Sequence, residues 1–532
     1  MSPPDGHVRK PRDLGALAAH IAAMDLDHDA CYRAIQTRDA RFDGRLFIGV
    51  RTTGIYCRPV CPARTPKREN VTFYATAAAA QEAGFRPCLR CRPETSPDLG
   101  AWRGTSNTVS RALNLIEAGA LDEADVDALA GRLGVGERQL RRLFRQHLGA
   151  SPIAVAQTRR VLLAKQLLHE TQLPMVEVAM ASGFGSVRRF NETFQTLYDR
   201  APSALRRSSK PEQSAAGAVT LKLSYRAPYD WAAMIAFLSL RAIPGVETIK
   251  DGVYARTIAI GSGRGMISVQ PAGDGKLSVT VRFPDLTALP SIIARVRRVF
   301  DLAADPLTIG AHLSQDPALA PLVAARPGLR CPGAWDGFEL AIRAVLGQQI
   351  TVPAAIVLAG RLTRDHGEAL IETWPDFPGL THVFPSAETL AAADLSGLPM
   401  PRARSSTLES LAAAVAADPG LVSPRGSLEE AITTLRGLAG IGEWTAQYIA
   451  MRQLREPDAF PAADIGLMRA MADTDGARPS AAALLEHAER WRPWRAYAAQ
   501  HLWASEAYPV KAPATKSSKT PKEKPDADRQ AA

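Results

Sequence analysis

No apolar run in this chain is long enough to cross a bilayer. The longest, residues 231–240 (WAAMIAFLSL), is about half the ~20 residues that a helical span requires. An integral helical membrane protein is therefore excluded. Cysteine is scarce: Cys31, Cys57, Cys61, Cys88, Cys91 and Cys331 are the six in 532 residues. That is too sparse for a disulfide scaffold. Four of them fall in two tight pairs, which points to metal or thiol chemistry in a reducing compartment. No secretory signal is expected either, because the apolar run 16–24 is short, holds His20 and follows Pro and charged residues. A cytoplasmic location is expected. Apolar residues at 46% and charged residues at 22% exclude disorder as the dominant state. Lys and Arg outnumber Asp and Glu by 64 to 54, an excess that favours a polyanionic partner.

At roughly 150 residues per domain the length suggests three or four domains. Residues 1–24 are irregular and expected to be disordered, and residues 25–95 hold both cysteine pairs. Residues 92–104 (RPETSPDLGAWRG) carry Pro, Gly and Ser and read as a linker. Residues 105–207 are helical by period and rich in Arg, and 208–219 read as a second linker. Between 220 and 300, LKLSY, YARTIAIG, GMISVQP and KLSVTVRF alternate as strands, with a helix at 231–240. Residues 301–508 are Ala-rich and helical, and the basic tail 509–532 is expected to be disordered.

The pairs Cys57-Arg-Pro-Val-Cys61 and Cys88-Leu-Arg-Cys91 have the spacing of a tetrahedral zinc site. Taken alone, such a site is more often a closed structural one. The segments RTTGIYCRPVCPARTPKRENVTFY and GFRPCLRC resemble the N-terminal domain of the Ada methylphosphotriester-repair proteins over residues 24–93. The resemblance implies one zinc, with Cys57 as methyl acceptor and Cys61, Cys88 and Cys91 as the other ligands. Thiolates are the nucleophilic form of cysteine, and four of them on Zn²⁺ carry a formal charge of about −2. Arg58, Arg64, Lys67, Arg68, Arg86, Arg90 and Arg92 interleave the cysteines and suit a phosphate backbone; a solvated face is the plainer alternative. Cys31 and Cys331 read as packed thiols.

Residues 124–148 (ADVDALAGRLGVGERQLRRLFRQHL) follow helix-turn-helix grammar, with the turn at Gly134–Gly136. The second helix presents Arg138, Arg141, Arg142 and Arg145. A second copy, MVEVAMASGFGSVRRFNETFQTLY, presents Arg188, Arg189 and Asn191. Two such units joined by a helix, with ASGFGS and the closing RAPSALRR, resemble the AraC-type DNA-binding domain over 105–207. Each second helix would enter the major groove, where Arg and Asn read base edges.

Residues 435–451 (LRGLAGIGEWTAQYIAM) give the clearest signal in the second half. The G-L-A-G-I-G turn, with Gly440 and Gly442, lets two helices meet and offers backbone amides to a phosphate. A Pro-containing loop and Asp464 follow. With YDWAAMIAF, YARTIAIG, RPGLRCPGAWDGFELAIRAVLGQQIT and ERWRPWRAYAAQHLW, residues 220–508 resemble the helix-hairpin-helix 3-methyladenine DNA glycosylase II (AlkA) family. The resemblance implies Asp464 as catalytic carboxylate and Trp444, Tyr448, Trp503 and Phe237 as an aromatic pocket for a flipped alkylated base. It also raises a monovalent cation at the hairpin. Gln349 stands where the best-known member has an apolar wedge, and Ile465 stands where Tyr is frequent. Trp444 occupies the hairpin position where bifunctional glycosylases hold a Schiff-base Lys, and neither an iron–sulfur cysteine pattern nor a Pro-Cys-His-Arg motif occurs.

The expected architecture is a multidomain α+β protein. A small zinc domain and an all-α double helix-turn-helix domain precede an α/β subdomain and a helix-hairpin-helix domain. The expected partners are alkylated double-stranded DNA, a promoter operator and RNA polymerase, with the protein a monomer. The alternative is a glycosylase whose zinc-bearing half is purely structural and only targets DNA.

Overall fold

The computed structural model describes residues 28–97, 107–206, 217–423 and 427–507. The two terminal segments expected to be disordered, and residues 208–216 of the second linker, lie outside the described residues.

The first body is a four-stranded sheet in the order β3-β1-β2-β4, with β1 Phe47–Val50, β2 Ile55–Cys57, β3 Val71–Tyr74 and β4 Arg86–Pro87. Helix α1 (His28–Gln36) buries Cys31, Ala34 and Ile35 against Ile48, Val71 and Phe73. Helix α2 (Ala77–Glu82), capped by the Thr76 hydroxyl, covers Phe47, Tyr56 and Phe85 with its alanines. Strands β2 and β4 run parallel with Tyr56 opposite Pro87. That register sets Cys57 and Cys88, each one residue further along, at neighbouring strand ends.

The helical middle begins with α3 (Asn107–Glu117). Helices α4 (Val126–Arg132) and α5 (Glu137–Leu148) form one helix-turn-helix, and α7 (Met175–Ala181) and α8 (Val187–Tyr198) the other. The long α6 (Pro152–Glu170) joins them. Leu140, Phe144 and Leu148 on α5, and Phe190, Phe194 and Tyr198 on α8, recur every four residues and are buried. Their charged neighbours therefore face out. The second turn requires glycine: Gly183 has φ +85, and a Cβ there would lie 2.4 Å from the Asp122 carboxylate.

Next comes a five-stranded antiparallel sheet, β5-β9-β8-β7-β6, built from β5 Ala218–Ser224, β6 Glu247–Lys250, β7 Val253–Ile260, β8 Gly263–Pro271 and β9 Lys276–Arg282. Helices α9 (Trp231–Ser239) and α10 (Leu289–Val299) flank it. Leu167 of α6 and Phe190 and Phe194 of α8 share one apolar core with Val219, Leu221 and Val279 of this sheet.

The last body is a helical domain around α11 (Gly337–Leu346), which is buried along most of its length. Helix α12 (Leu428–Arg436) starts with a Ser427/Glu430 capping box and ends in the glycine hairpin. After it come α13 (Glu443–Ile449), a single π-helical turn (Ala450–Leu454), α14 (Ile465–Ala470) and α15 (Arg495–Ala507). Among the described residues no helix is long and apolar enough to cross a membrane.

The segment 92–104, expected to be a linker, departs from that reading at its start. Pro93–Thr95 form a 3₁₀ turn, and the Glu94 side chain is 1% exposed. Glu94 accepts hydrogen bonds from Lys165 Nζ at 2.8 Å and Arg92 Nε at 3.1 Å, with His169 Nδ1 at 3.3 Å. Lys165, fully buried on α6, also reaches the Cys88 carbonyl at 3.4 Å. Polar composition suggested exposure, but paired charges can be buried. Residues 98–104 lie outside the described residues.

Candidate functional site

The Sγ atoms of Cys57, Cys61, Cys88 and Cys91 all lie within 4.8 Å of one another. Four thiols from two strand ends and two turns are the donor set of a tetrahedral zinc centre. They differ in their surroundings. Cys88 and Cys91 are buried, whereas Cys57 and Cys61 are half-buried. The amide of Arg58 points to Cys91 Sγ at 3.4 Å, that of Arg90 to Cys88 Sγ at 3.3 Å, and that of Ala63 to Cys61. No backbone amide reaches Cys57 Sγ among the described residues. A hydrogen bond withdraws electron density from a sulfur. Cys57 and Cys61 are thus the two half-buried thiols, and Cys57 is the one to which no backbone amide donates among the described residues.

Of the basic residues around the cluster, Lys67 and Arg68 make exposed ion pairs with Glu69 and Asp29, and the others divide into two sets. Arg58 is used internally: it bonds Asp43 and donates to Thr95 Oγ1 at 2.6 Å. Arg92 pairs with Glu94 and Glu170. Arg64 and Arg90 are exposed and Arg86 half-buried, without an ion-pair partner among the described residues.

On the helix-turn-helix units Arg138, Arg141, Arg142, Arg188, Arg189 and Asn191 are all exposed. Arg141 and Arg188 pair with Glu137 and Glu192 one turn away, exposed contacts that exchange easily. Arg145 is different: it binds Glu82 of the cysteine domain at 2.7 Å, and the same carboxylate caps the Ser151 amide at 3.0 Å.

The second site lies in the C-terminal body. Asp464 is the N-cap of α14, and its Oδ1 accepts from the Leu467 amide at 3.0 Å. Oδ1 also accepts from Trp503 Nε1 at 2.9 Å, and Oδ2 from Trp444 Nε1 at 2.8 Å. The Trp444 and Tyr448 rings stack with centroids 5.3 Å apart, and Tyr448 meets Trp503 edge-on at 6.4 Å. Phe237 arrives from α9, outside the helical body. The four aromatics named from the sequence are thus gathered, and three of them share one neighbour. The Arg452 guanidinium lies 4.7 Å from the Phe237 centroid, 5.5 Å from Tyr448 and 5.4 Å from Trp503.

The hairpin leads directly into α13, which carries Trp444 and Tyr448. Gly440 has φ +80, and a Cβ there would lie 2.0 Å from Thr407 Oγ1. Gln348 Nε2 donates to the Gly440 carbonyl at 3.0 Å and to Thr445 Oγ1 at 3.1 Å. Arg404 holds the Gln348 carbonyl at 2.6 Å. Gly442 is the exposed N-cap of α13, Gln349 is exposed with φ +58, and Ile465 is 59% exposed beside Asp464. Sequence reasoning missed Gln348 and Arg452. The first stands in the quoted LGQQIT loop, and the second is a lone Arg among apolar neighbours just after the hairpin.

The fold and its sites define a multidomain DNA-repair protein: a four-cysteine domain, paired helix-turn-helix units and a helix-hairpin-helix domain in which aromatic side chains cluster around Asp464. Profiles described as "Metal binding domain of Ada", "Helix-turn-helix domain" and "AlkA N-terminal domain" match residues 30–94, 129–208 and 220–336. The probable bifunctional transcriptional activator/DNA repair enzyme AlkA of Mycobacterium tuberculosis is 45% identical over 492 residues, 92% of this chain and 98% of that protein. DNA-3-methyladenine glycosylase 2 of Escherichia coli is 37% identical over 54% of this chain and 97% of its own length. The bifunctional transcriptional activator/DNA repair enzyme Ada of Escherichia coli is 34% identical over 33% of this chain and 48% of its own length. The chain belongs to the family of bifunctional transcriptional activator/DNA repair enzymes AlkA, in which an Ada-like regulator is fused to a DNA glycosylase.

Proposed function

We propose that the protein acts on alkylated DNA at two separate centres. The C-terminal body hydrolyses the N-glycosidic bond of alkylated bases such as 3-methyladenine, as a monofunctional glycosylase. Cys57 irreversibly accepts a methyl group from a DNA methylphosphotriester. The observation that carries the first half is Asp464, whose two oxygens are held by indole N–H groups from two pocket walls.

A flipped base entering among Trp444, Tyr448, Trp503 and Phe237 brings its sugar to Asp464. Breaking the C1′–N bond leaves positive charge on the sugar, and a carboxylate fixed by three donors stabilises it without reorganising. Water then attacks C1′. Trp444 supplies no amine, so no Schiff base forms and the abasic strand stays uncut.

At the cysteine cluster, bound zinc keeps the thiols deprotonated and nucleophilic at neutral pH. The Cys57 sulfur forms a bond to the methyl carbon while the carbon–oxygen bond breaks, its electron pair leaving on the phosphate. Exposed Arg64 and Arg90 line up the backbone. Transfer turns a thiolate into a neutral thioether and removes one negative charge near phosphate-facing arginines, which raises DNA affinity. Operator DNA, and RNA polymerase recruited there, are the partners this reading assigns to the helix-turn-helix pair. A monovalent cation at the hairpin carbonyls belongs to the same reading.

The test combines base release from methylated DNA with intact-mass measurement on the same samples. Asp464→Asn should lose on the order of 10²–10³ in excision rate while retaining DNA binding and the methyl mass shift. Cys57→Ala should lose only the mass shift. Equal excision by Asp464→Asn and wild type rejects the glycosylase assignment, and an unmodified Cys57 in wild type returns the cluster to a structural role.

A further inference from the structure

Arg452 is 2% exposed and has no carboxylate at ion-pair distance among the described residues. Its Nη1 donates to the Pro332 carbonyl at 3.0 Å and its Nη2 to Gln500 Oε1 at 2.9 Å. Its Nε is buried with no acceptor. Arginine is seldom fully buried unless paired, because desolvating an uncompensated charge is costly. This one also sits on the π-helical turn that follows α13, a distortion frequent at functional sites. Its cation faces Phe237, Tyr448 and Trp503. Trp503 spans the two charges of the pocket: its ring is 5.4 Å from the guanidinium, and its Nε1 is 2.9 Å from Asp464.

We infer that Arg452 is a specificity-determining residue that sets, with Asp464, a fixed electric field across the glycosidic bond. The inference rests on the glycosylase reading above. Its positive pole lies on the base side and its negative pole on the sugar side. Cleavage moves the C1′–N electron pair onto the base nitrogen, and C1′ takes its new bond from water oxygen. A cationic N-alkylpurine leaves as a neutral base, and the water proton goes to solvent. A neutral damaged base leaves as an anion that takes that proton.

The field acts on both classes but at different stages. With a cationic base, Arg452 repels the bound ground state, and the repulsion is relieved as positive charge passes to the sugar. That raises KM and kcat together and leaves kcat/KM nearly unchanged. With a neutral base, binding is unaffected and the developing anion is stabilised, so kcat and kcat/KM rise together. A base stacked on these rings at about 3.5 Å lies roughly 8–9 Å from the guanidinium. At an effective dielectric near 20 that separation corresponds to at least about tenfold in rate or affinity.

The experiment measures kcat and KM for DNA containing 7-methylguanine, which is cationic, and hypoxanthine, which is neutral. It compares wild type, Arg452→Met, Arg452→Lys and Gln500→Glu. Arg452→Met should lower kcat and KM about tenfold each for 7-methylguanine, but lower kcat alone for hypoxanthine. The preference in kcat/KM thus moves about tenfold toward the cationic base. Arg452→Lys keeps the charge and should keep the wild-type preference. Gln500→Glu keeps the arginine but neutralises it with a carboxylate, so it should shift the preference in the same direction as Arg452→Met even if that variant does not fold. A kcat/KM loss equal for both bases, in a Gln500→Glu protein that folds, overturns the inference and leaves Arg452 a packing residue. No base release by the wild type overturns the glycosylase reading itself.

Discussion

Asp464 draws its position from residues far apart in the chain. Trp444 comes from the helix after the hairpin and Trp503 from the last described helix, and each indole serves twice, as a hydrogen-bond donor to Asp464 and as a ring packed on Tyr448. Trp503→Phe separates those roles, because Phe keeps an aromatic face and loses the N–H. A hydrogen bond to a charged group is worth roughly 1.5–3 kcal/mol. If the bond holds Asp464 in its reactive position, single-turnover base release should fall about 10- to 100-fold with little change in DNA affinity. An unchanged rate would show that Trp444 and the Leu467 amide suffice. At the cysteine cluster, backbone amides point to Cys61, Cys88 and Cys91, and none to Cys57 among the described residues.

Among the elements, the hairpin is the one whose sequence admits least change. Gly440 and Gly442 look equivalent in G-L-A-G-I-G, yet their surroundings differ. Gly440 has a left-handed backbone and a Thr407 side chain where a Cβ would go, whereas nothing lies within 4 Å of the Cβ position of Gly442. Gly440→Ala should cost about 2–4 kcal/mol from left-handed strain and overpacking together. It should also displace the carbonyl that Gln348 holds and weaken DNA binding. Gly442→Ala should cost well under 1 kcal/mol. Urea midpoints and fluorescence anisotropy with duplex DNA check both, and equal losses at the two positions would contradict the role given to Thr407.

For the whole molecule, buried charge ties the bodies together and sets the response to acid. Glu94 meets Lys165 and His169 of α6, so the cysteine domain is anchored to the helix joining the two helix-turn-helix units. Burial, the largest single influence, raises its pKa, but the Lys165 charge and the hydrogen bonds from His169 and Lys165 together outweigh that and bring it down to about 2. Its stabilising contribution is present above the unfolded value near 4.5 and is lost as pH falls through 4.5 toward 2. His501 is depressed by burial to about 4. Its neutral form is favoured in the folded state, so stability is full above about 6.5 and falls as pH drops from there toward 4. Between pH 7.5 and 5 the loss from His501 should reach about 2 kcal/mol, before Glu94 begins to titrate. Urea midpoints across this range should fall for the wild type, and His501→Leu should flatten that limb. An equal slope in both proteins would assign the pH dependence elsewhere.

Local spacing by itself determined much of this protein. The two cysteine pairs, the buried four-residue period of α5 and α8, the alternating strands of the five-stranded sheet and the glycine hairpin are short-range patterns. Each is fixed by backbone geometry or by the reach of a side chain along its own element. They carried the order of the parts, while Asp464 and the four aromatics were named through the resemblance to the glycosylase family. Tertiary structure decided which of several similar residues meets which partner. Nothing in CRPVC distinguishes Arg58, spent on Asp43 and Thr95, from exposed Arg64, and nothing along α5 distinguishes Arg145, bound to Glu82, from Arg141. Pro93–Thr95 read as linker because its polar residues favour solvent, until Lys165 arrives from α6 to pair with Glu94. Arg452 is the fullest case: its burial depends on rings from α9, α13 and α15, which no pattern along the chain relates to one another. A charge's environment is a sum over neighbours distant in sequence, so only the folded chain sets it.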